Sequence, residues 1–266
     1  MLSLLATEIC AGLGATAGLG LTVGGYAYAA QWPGSKIFGE ALIAPKKPGE
    51  LALTFDDGPN PLWTPRLLEL FDYYNVRATF FMMGSHAQAV PDLVRRVAAA
   101  GHLIGSHSWS HPNLAYAGAG RVREELTRSK DAIQQITGAP VKFFRPPFGA
   151  RRPYVLRTAR ELGMTPVLWN AMTNDWEEPS AEKIAAKLTK KIDRLGRQGW
   201  AANVVLHDGN NLDPVADRRA SATAAEMLLI HYAKTHQFVT LDAWPSAAVG
   251  AKAKVEADRH AAPIQK

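Results

Sequence analysis

Asp56 and Asp57 stand side by side where the apolar run Leu51-Ala52-Leu53 ends, and Gly58-Pro59 follows at once. Adjacent carboxylates at the point where a strand stops and a loop begins occupy the usual position of a catalyst. Asp-Gly alone is also an ordinary turn signal, so the pair gains meaning only from its company. His107-Ser108-Trp109-Ser110-His111 carries two imidazoles four apart, a spacing that lets both reach one ion from a helical turn or a tight loop. With a carboxylate at a neighbouring strand end, they compose a two-histidine, one-aspartate donor set with positions left for water, as in catalytic zinc sites. Arg145-Pro146-Pro147-Phe148-Gly149 supplies a guanidinium that can hold a nearby carboxylate ionised. Neither proline has an N–H, which leaves the N–H of Phe148 to face a ligand. Asp175-Trp176 and Leu206-His207 add an acid, a histidine and two apolar walls. A carboxylate beside His207 would raise its pKa into the range of a proton donor near neutral pH. His86, His102, His231, His236 and His260 fall in or beside presumed helices or in the tail, and read as structural or solvated.

Short apolar or β-branched runs at Leu51–Phe55, Ala78–Met83, His102–Ser106, Val141–Phe144, Thr165–Trp169, Asn203–Leu206 and Phe238–Leu241 read as seven strands. Helical patterns with one apolar face lie between most of them, at Pro65–Tyr74, Pro91–Ala100, Arg121–Ile136, Val155–Leu162, Ala181–Leu195 and Ser221–Ala233. Gly101, Gly138 and Gly163 fall just past three of these patterns, where helix ends favour glycine. Strand and helix in alternation predict a parallel sheet, and seven units suit a distorted (β/α) barrel better than an open sheet. Asp56-Asp57-Gly58-Pro59 is neither a dinucleotide turn nor a phosphate loop, which counts against a doubly wound fold. A barrel gathers the carboxyl ends of its strands at one mouth, so residues 56, 57, 107, 111, 145, 175 and 207 would share a single pocket.

In that order, Thr54-Phe55-Asp56-Asp57-Gly58-Pro59, His107-Ser108-x-x-His111, Arg145-Pro146-Pro147-Phe148-Gly149, Asp175-Trp176 and Leu206-His207-Asp208 resemble the five motifs of the polysaccharide deacetylases. These are the NodB-homology domains of carbohydrate esterase family four, and the resemblance spans about residues 50–242. It implies a distorted (β/α) barrel holding a divalent metal, usually zinc and sometimes cobalt, nickel or manganese. Carried over residue by residue, it makes Asp57, His107 and His111 the metal ligands, Asp56 the general base and Arg145 its orienting partner. His207 would be the general acid, tuned by Asp175, with Trp176 and Leu206 walling an acetyl pocket and the Phe148 N–H serving the oxyanion. The implied activity is metal-dependent removal of acetyl groups, by attack of metal-activated water, from N-acetylated sugars of a polysaccharide such as peptidoglycan or a chitin-like polymer. An O-acetyl xylan esterase, a non-sugar amidohydrolase of the same superfamily and a catalytically silent carbohydrate-binding domain are the rival readings. A silent domain is expected to lack at least one of the five principal site residues, and all are present. Two positions depart from the pattern: Met172 stands where many members have an aspartate, and Phe148 where tyrosine is common.

With 266 residues and 47% hydrophobic content the chain can bury one large core, and one main domain is expected over 50–245, as a monomer. The net charge of +6 is spread over presumed helices with no aromatic-interleaved basic stripe, so no nucleic-acid partner is expected. Cys10 is the single cysteine, which excludes an internal disulfide and a cysteine-rich zinc site. Residues 9–30 form an uncharged, Gly- and Ala-rich run long enough to cross a bilayer, and Ala27-Tyr28-Ala29 fits a cleavage site. The expectation is a signal or membrane-anchor segment over 1–30 and a place in the cell envelope, membrane-anchored or secreted. The charges run against export, since Glu8 precedes the run and Lys36, Lys46 and Lys47 follow it. Residues 31–49, rich in Pro, Gly and Lys, read as a linker, and 246–266 as a flexible tail.

Overall fold

The structure, a computed structural model, describes residues 24–26 and 28–244. Most of the apolar run 9–30 and the tail 246–266 lie outside the described residues. Among those described, no helix is long and apolar enough to cross a membrane.

The strands are β1 (Glu50–Gly58), β2 (Thr79–Met82), β3 (Leu103–Ser106), β4 (Phe143–Phe144), β5 (Thr165–Pro166), β6 (Ala171–Met172), β7 (Ala202–His207) and β8 (Gln237–Phe238). All pairings are parallel, in the order β5-β4-β3-β2-β1-β7-β6, with β8 beside the start of β1. The helices are α1 (Thr64–Tyr73), α2 (Gly84–Ala89), α3 (Pro91–Ala99), α4 (Ala119–Thr137), α5 (Pro153–Glu161), α6 (Ala181–Arg197) and α7 (Arg219–Tyr232). Proline in the first turn opens α1, α3 and α5, where no backbone N–H is required. Gly138 closes α4 in the left-handed conformation at φ 69°, which a residue without Cβ adopts freely.

β5 and β6 sit at opposite ends of the strand order, yet only Val167–Asn170 separates them in the chain. The sheet must therefore curl until its two edges meet. Residues 165–172 act as one bent strand that pairs with β4 at its start and with β7 at its end. The result is a distorted barrel of seven parallel strands. The β6 pairing is absent from the expected strands, because Thr165–Trp169 reads as one run that stops short of it.

Every residue of β1 after Glu50 is buried, as a strand covered on both faces requires. Its alternation divides the core: Leu51, Leu53 and Phe55 join the large cluster beneath the helices, whereas Ala52 belongs to a smaller one inside the barrel with Phe81, Phe143 and Val167. β7 follows the same rule, with Ala202, Val204 and Leu206 in the helix-facing core.

Residues 31–49 do not hang free of this body. Leu42 bridges to Val167, and Asn203 Nδ2 donates to the carbonyl of Ile43 at 2.9 Å. Arg151, fully buried, donates to the carbonyls of Ala30, Trp32 and Ser35.

Candidate active site

The adjacent aspartates reach one site because β1 breaks its own alternation. The register against β2 slips between Asp56 and Gly58, and Asp57 takes φ 68° in that bulge. A regular strand would send the two carboxylates to opposite faces; here both line one cavity of about 280 Å³ at the carboxyl end of the strands. The left-handed turn is held by neighbours. Met83 N donates to Gly58 O at 2.9 Å, and His86 Nδ1 lies 3.2 Å from the carbonyl of Asp57. Gly209 packs so tightly on that carbonyl that a Cβ would collide with it.

His107 and His111 stand over Asp57, their Nε2 atoms 3.3 and 3.2 Å from its Oδ1. They come from an irregular loop after β3, not from a helical turn, and Ser108 (φ 66°) and His111 (φ 60°) are both left-handed. Glu125 of α4 holds this loop in shape: its buried carboxylate accepts the N–H groups of Trp109 and Ser110, each at 2.8 Å, and the Ser110 hydroxyl at 2.7 Å.

Asp57, His107 and His111 form a buried group whose donor atoms can converge on one ion. The chemistry of the set fits a divalent cation. His107 Nδ1 lies 2.8 Å from the carbonyl of Arg145, an acceptor only, so that nitrogen carries the proton. That leaves Nε2 as the nitrogen that can ligate an ion; without one it meets the Asp57 carboxylate as a hydrogen-bond donor. Burial alone would raise the Asp57 pKa, but the imidazoles of His107 and His111 hold it well below the usual carboxylate range. The carboxylate is thus ionised, as a metal ligand must be.

Asp56 faces the same cavity from a different electrostatic setting. Arg145, fully buried inside the barrel, donates from Nη1 to Asp56 Oδ1 and to Thr54 Oγ1, both at 2.7 Å. Its guanidinium lies 4.1 Å from the centre of the Phe81 ring, and Nη2 reaches Asn203 Oδ1 at 3.3 Å. Burial pulls the Arg145 pKa down, and the Asp56 charge opposes that. Asp56 Oδ2 has no hydrogen-bond donor among the described residues and lies 4.0 Å from His107 Nε2.

On the far wall, Asp175 grips His207 twice: Oδ1 lies 2.9 Å from Nδ1 and Oδ2 accepts the His207 backbone N–H at 2.8 Å. Ser221 of α7 donates to the same Oδ2 at 2.7 Å. Burial pulls the His207 pKa down, but Asp175 outweighs it by charge and hydrogen bond, with help from Asp57 and Asp56, and raises it to about 9. Trp176 packs edge-on against His207 at 4.9 Å between ring centres, and Phe148 packs against His111 at 4.6 Å. Phe148 is left-handed at φ 57°, and the bonds that close its turn are donated by Gly149 and Ala150. Asp208 sits behind Asp57, where burial pushes its pKa up to about 7 against the hydrogen bond it accepts from Thr64.

Nine of the ten site residues expected from sequence meet at this mouth, and Leu206 does not. It belongs to the helix-facing core, fully buried, while its neighbour Val205 lines the cavity. The cause is strand alternation: His207 points inward, so the residue sharing its face is two positions away, not one. The same rule places Thr54 beside Asp56, a second signal available in the sequence. Glu125, Ser221 and Asn203 carry no such signal. His102 is structural as expected, packed between Phe71 and Phe80 and accepting the Ala78 N–H, with burial and then Arg77 pushing its pKa down to about 4.

The mouth of a parallel barrel thus joins a buried Asp-His-His group whose donor atoms can converge on one ion to a carboxylate–guanidinium pair and a carboxylate–histidine pair. Residues 44–167 match the family described as polysaccharide deacetylase. A peptidoglycan-N-acetylglucosamine deacetylase of Bacillus cereus is 39% identical over 54% of this chain and 52% of its own length. A chitooligosaccharide deacetylase of Sinorhizobium fredii is 35% identical over 64% of this chain and 76% of that protein. The matched stretch is thus about half of the Bacillus relative and three quarters of the Sinorhizobium one. Among solved structures, the Bc1960 peptidoglycan N-acetylglucosamine deacetylase superposes with a TM-score of 0.68 at 32% identity, covering 76% of this chain and 91% of that one. The chain belongs to the polysaccharide deacetylase family.

Proposed function

We propose that the protein hydrolyses the acetamide of N-acetylated sugars in an envelope polysaccharide, peptidoglycan or a chitin-like N-acetylglucosamine polymer. One observation carries this reading: the convergence of the Asp57, His107 and His111 donor atoms in the same cavity as Asp56 and His207. A divalent ion held by those three residues, zinc in our reading, supplies Lewis acidity that polarises the acetyl carbonyl and lowers the pKa of water. Asp56, held in place by its ion pair with Arg145, takes a proton from the attacking water through its free Oδ2. The backbone N–H of Phe148 donates to the oxygen that gains negative charge as the carbonyl carbon becomes tetrahedral. Trp176 and Val205 wall the space for the acetyl methyl. His207, protonated at neutral pH by virtue of Asp175, hands its proton to the sugar nitrogen as the C–N bond breaks and acetate leaves.

The test is mass spectrometry of N-acetylglucosamine oligomers and peptidoglycan fragments incubated with metal-loaded protein, with acetylated xylan and a cyclic ureide in parallel. Loss of acetyl mass from the amino-sugar substrates is the expected result, together with zinc by elemental analysis. Turnover confined to xylan or the ureide, or undiminished activity in metal-free protein, would refute the reading.

A further inference from the structure

Arg218 precedes α7 and borders the active-site cavity beside Asn210 and Asn211. It is only 6% exposed, yet no acid among the described residues pairs with it. Its Nε donates to the carbonyl of Gly209 at 2.7 Å, while neither terminal nitrogen has a hydrogen-bond partner among those residues. A guanidinium this buried without a counter-ion is costly. It stands open to the cavity, where a ligand can reach it.

Its surroundings favour an anion. Asn210 Oδ1 accepts the N–H groups of Leu212 and Asp213, at 2.8 and 3.1 Å, which leaves the Asn210 amide nitrogen as a donor. The nearby acids bond elsewhere: Glu178 pairs with Lys183 and Lys187, Glu177 accepts from Asn174, Glu182 from Ser180, Asp213 from the Val215 N–H and Asp217 from the Arg219 N–H.

Resting on the deacetylase reading above, we propose that Arg218, with Asn210 and Asn211, forms a subsite for a carboxylate carried by a sugar next to the one deacetylated. The preferred substrate is then an anionic glycan, not a neutral chitin-like chain. In peptidoglycan that carboxylate has two sources, the lactyl group on alternate sugars and the stem peptide attached to it. A charge-assisted hydrogen bond of ordinary strength sets the expected selectivity at about 10-fold or more.

The experiment measures kcat and KM of the metal-loaded full chain on chitotetraose, on a peptidoglycan tetrasaccharide freed of peptide, and on the same tetrasaccharide with its peptides. Wild type should favour a carboxylate-bearing substrate through KM, and the better of the two tells which source is read. Arg218→Gln should lower the ratio of carboxylate-bearing to neutral kcat/KM by about 10-fold, and Arg218→Lys should restore part of it. Converting the free carboxylates to methylamides tests the same point on wild type, independently of how the variants fold. An unchanged ratio in the variants, equal losses on all substrates, or indifference of wild type to the methylamide would overturn the subsite while leaving the deacetylase reading intact. Failure of wild type on every substrate would overturn both.

Discussion

Replacing Asp175 with Asn removes one negative charge and little volume from behind His207. Wild-type His207 is raised to about 9 because the Asp175 charge and hydrogen bond outweigh burial. Without that charge, burial acts against only the smaller pull of Asp57 and Asp56, and the pKa should fall to the ordinary histidine value or below. A general acid works in its protonated form, so activity on an amide is retained below its pKa and lost above it. At pH 8 about nine-tenths of His207 is protonated with a pKa near 9, and about one-thirtieth with a pKa near 6.5, a loss of roughly 30-fold. At pH 5.5 both forms are almost fully protonated and the loss should shrink to within about 2-fold. A bound cation offsets part of the Asp57 contribution, which makes about 9 the upper bound for the wild-type alkaline limb. The assay is kcat against pH from about 5 to 10 on an N-acetylated oligosaccharide, with histidine NMR to follow the titration itself. A pH-independent loss with the alkaline limb unmoved would refute the argument and reduce Asp175 to an orienting group.

His111→Ala should abolish metal content by elemental analysis and turnover together, whereas Asp56→Asn should keep the metal and lower kcat by roughly 10²-fold. If Asp56→Asn loses the metal instead, the roles of the two aspartates are exchanged. Glu125→Gln should loosen the histidine loop without touching a donor atom, weakening metal affinity by about 10- to 100-fold in a competition titration; unchanged affinity would make Glu125 a stability residue alone. Arg145→Met strands a buried Asp56 carboxylate and should cost about 3–5 kcal/mol in denaturant unfolding, with much of it recovered in the Arg145→Met/Asp56→Asn double variant. Simple additivity of the two changes would show that the pair is not coupled.

Most of this site was legible in the sequence because its residues sit at strand ends, and barrel topology converts that position into proximity. Adjacency in the chain conceals the alternation of a strand. Leu206 adjoins His207 in the chain but faces the helices, and Val205 was the readable choice. Helix α2 has six residues, too few to display a period, and β6 pairs through only two. Partners that shape the site from outside left no local mark: Ser221 lies 46 residues from Asp175, and Asn203 lies 58 from Arg145. The segment 31–49 has the composition of a linker, yet Arg151 and Asn203 fix it by bonding its backbone carbonyls, and such bonds leave no trace in residue type.

Five non-glycine residues among those described have positive φ; three of them, Asp57, His111 and Phe148, line one cavity, and a fourth, Ser108, lies in the loop between its two histidines. An L-residue in that conformation costs about 1 kcal/mol or more, which glycine would relieve. Asp57→Gly or His111→Gly would therefore tend to firm the fold while silencing its chemistry. For a lineage no longer selected for product, decay at these positions runs downhill in stability. A barrel of this kind can outlast its own reaction and remain, folded and durable, available for another use.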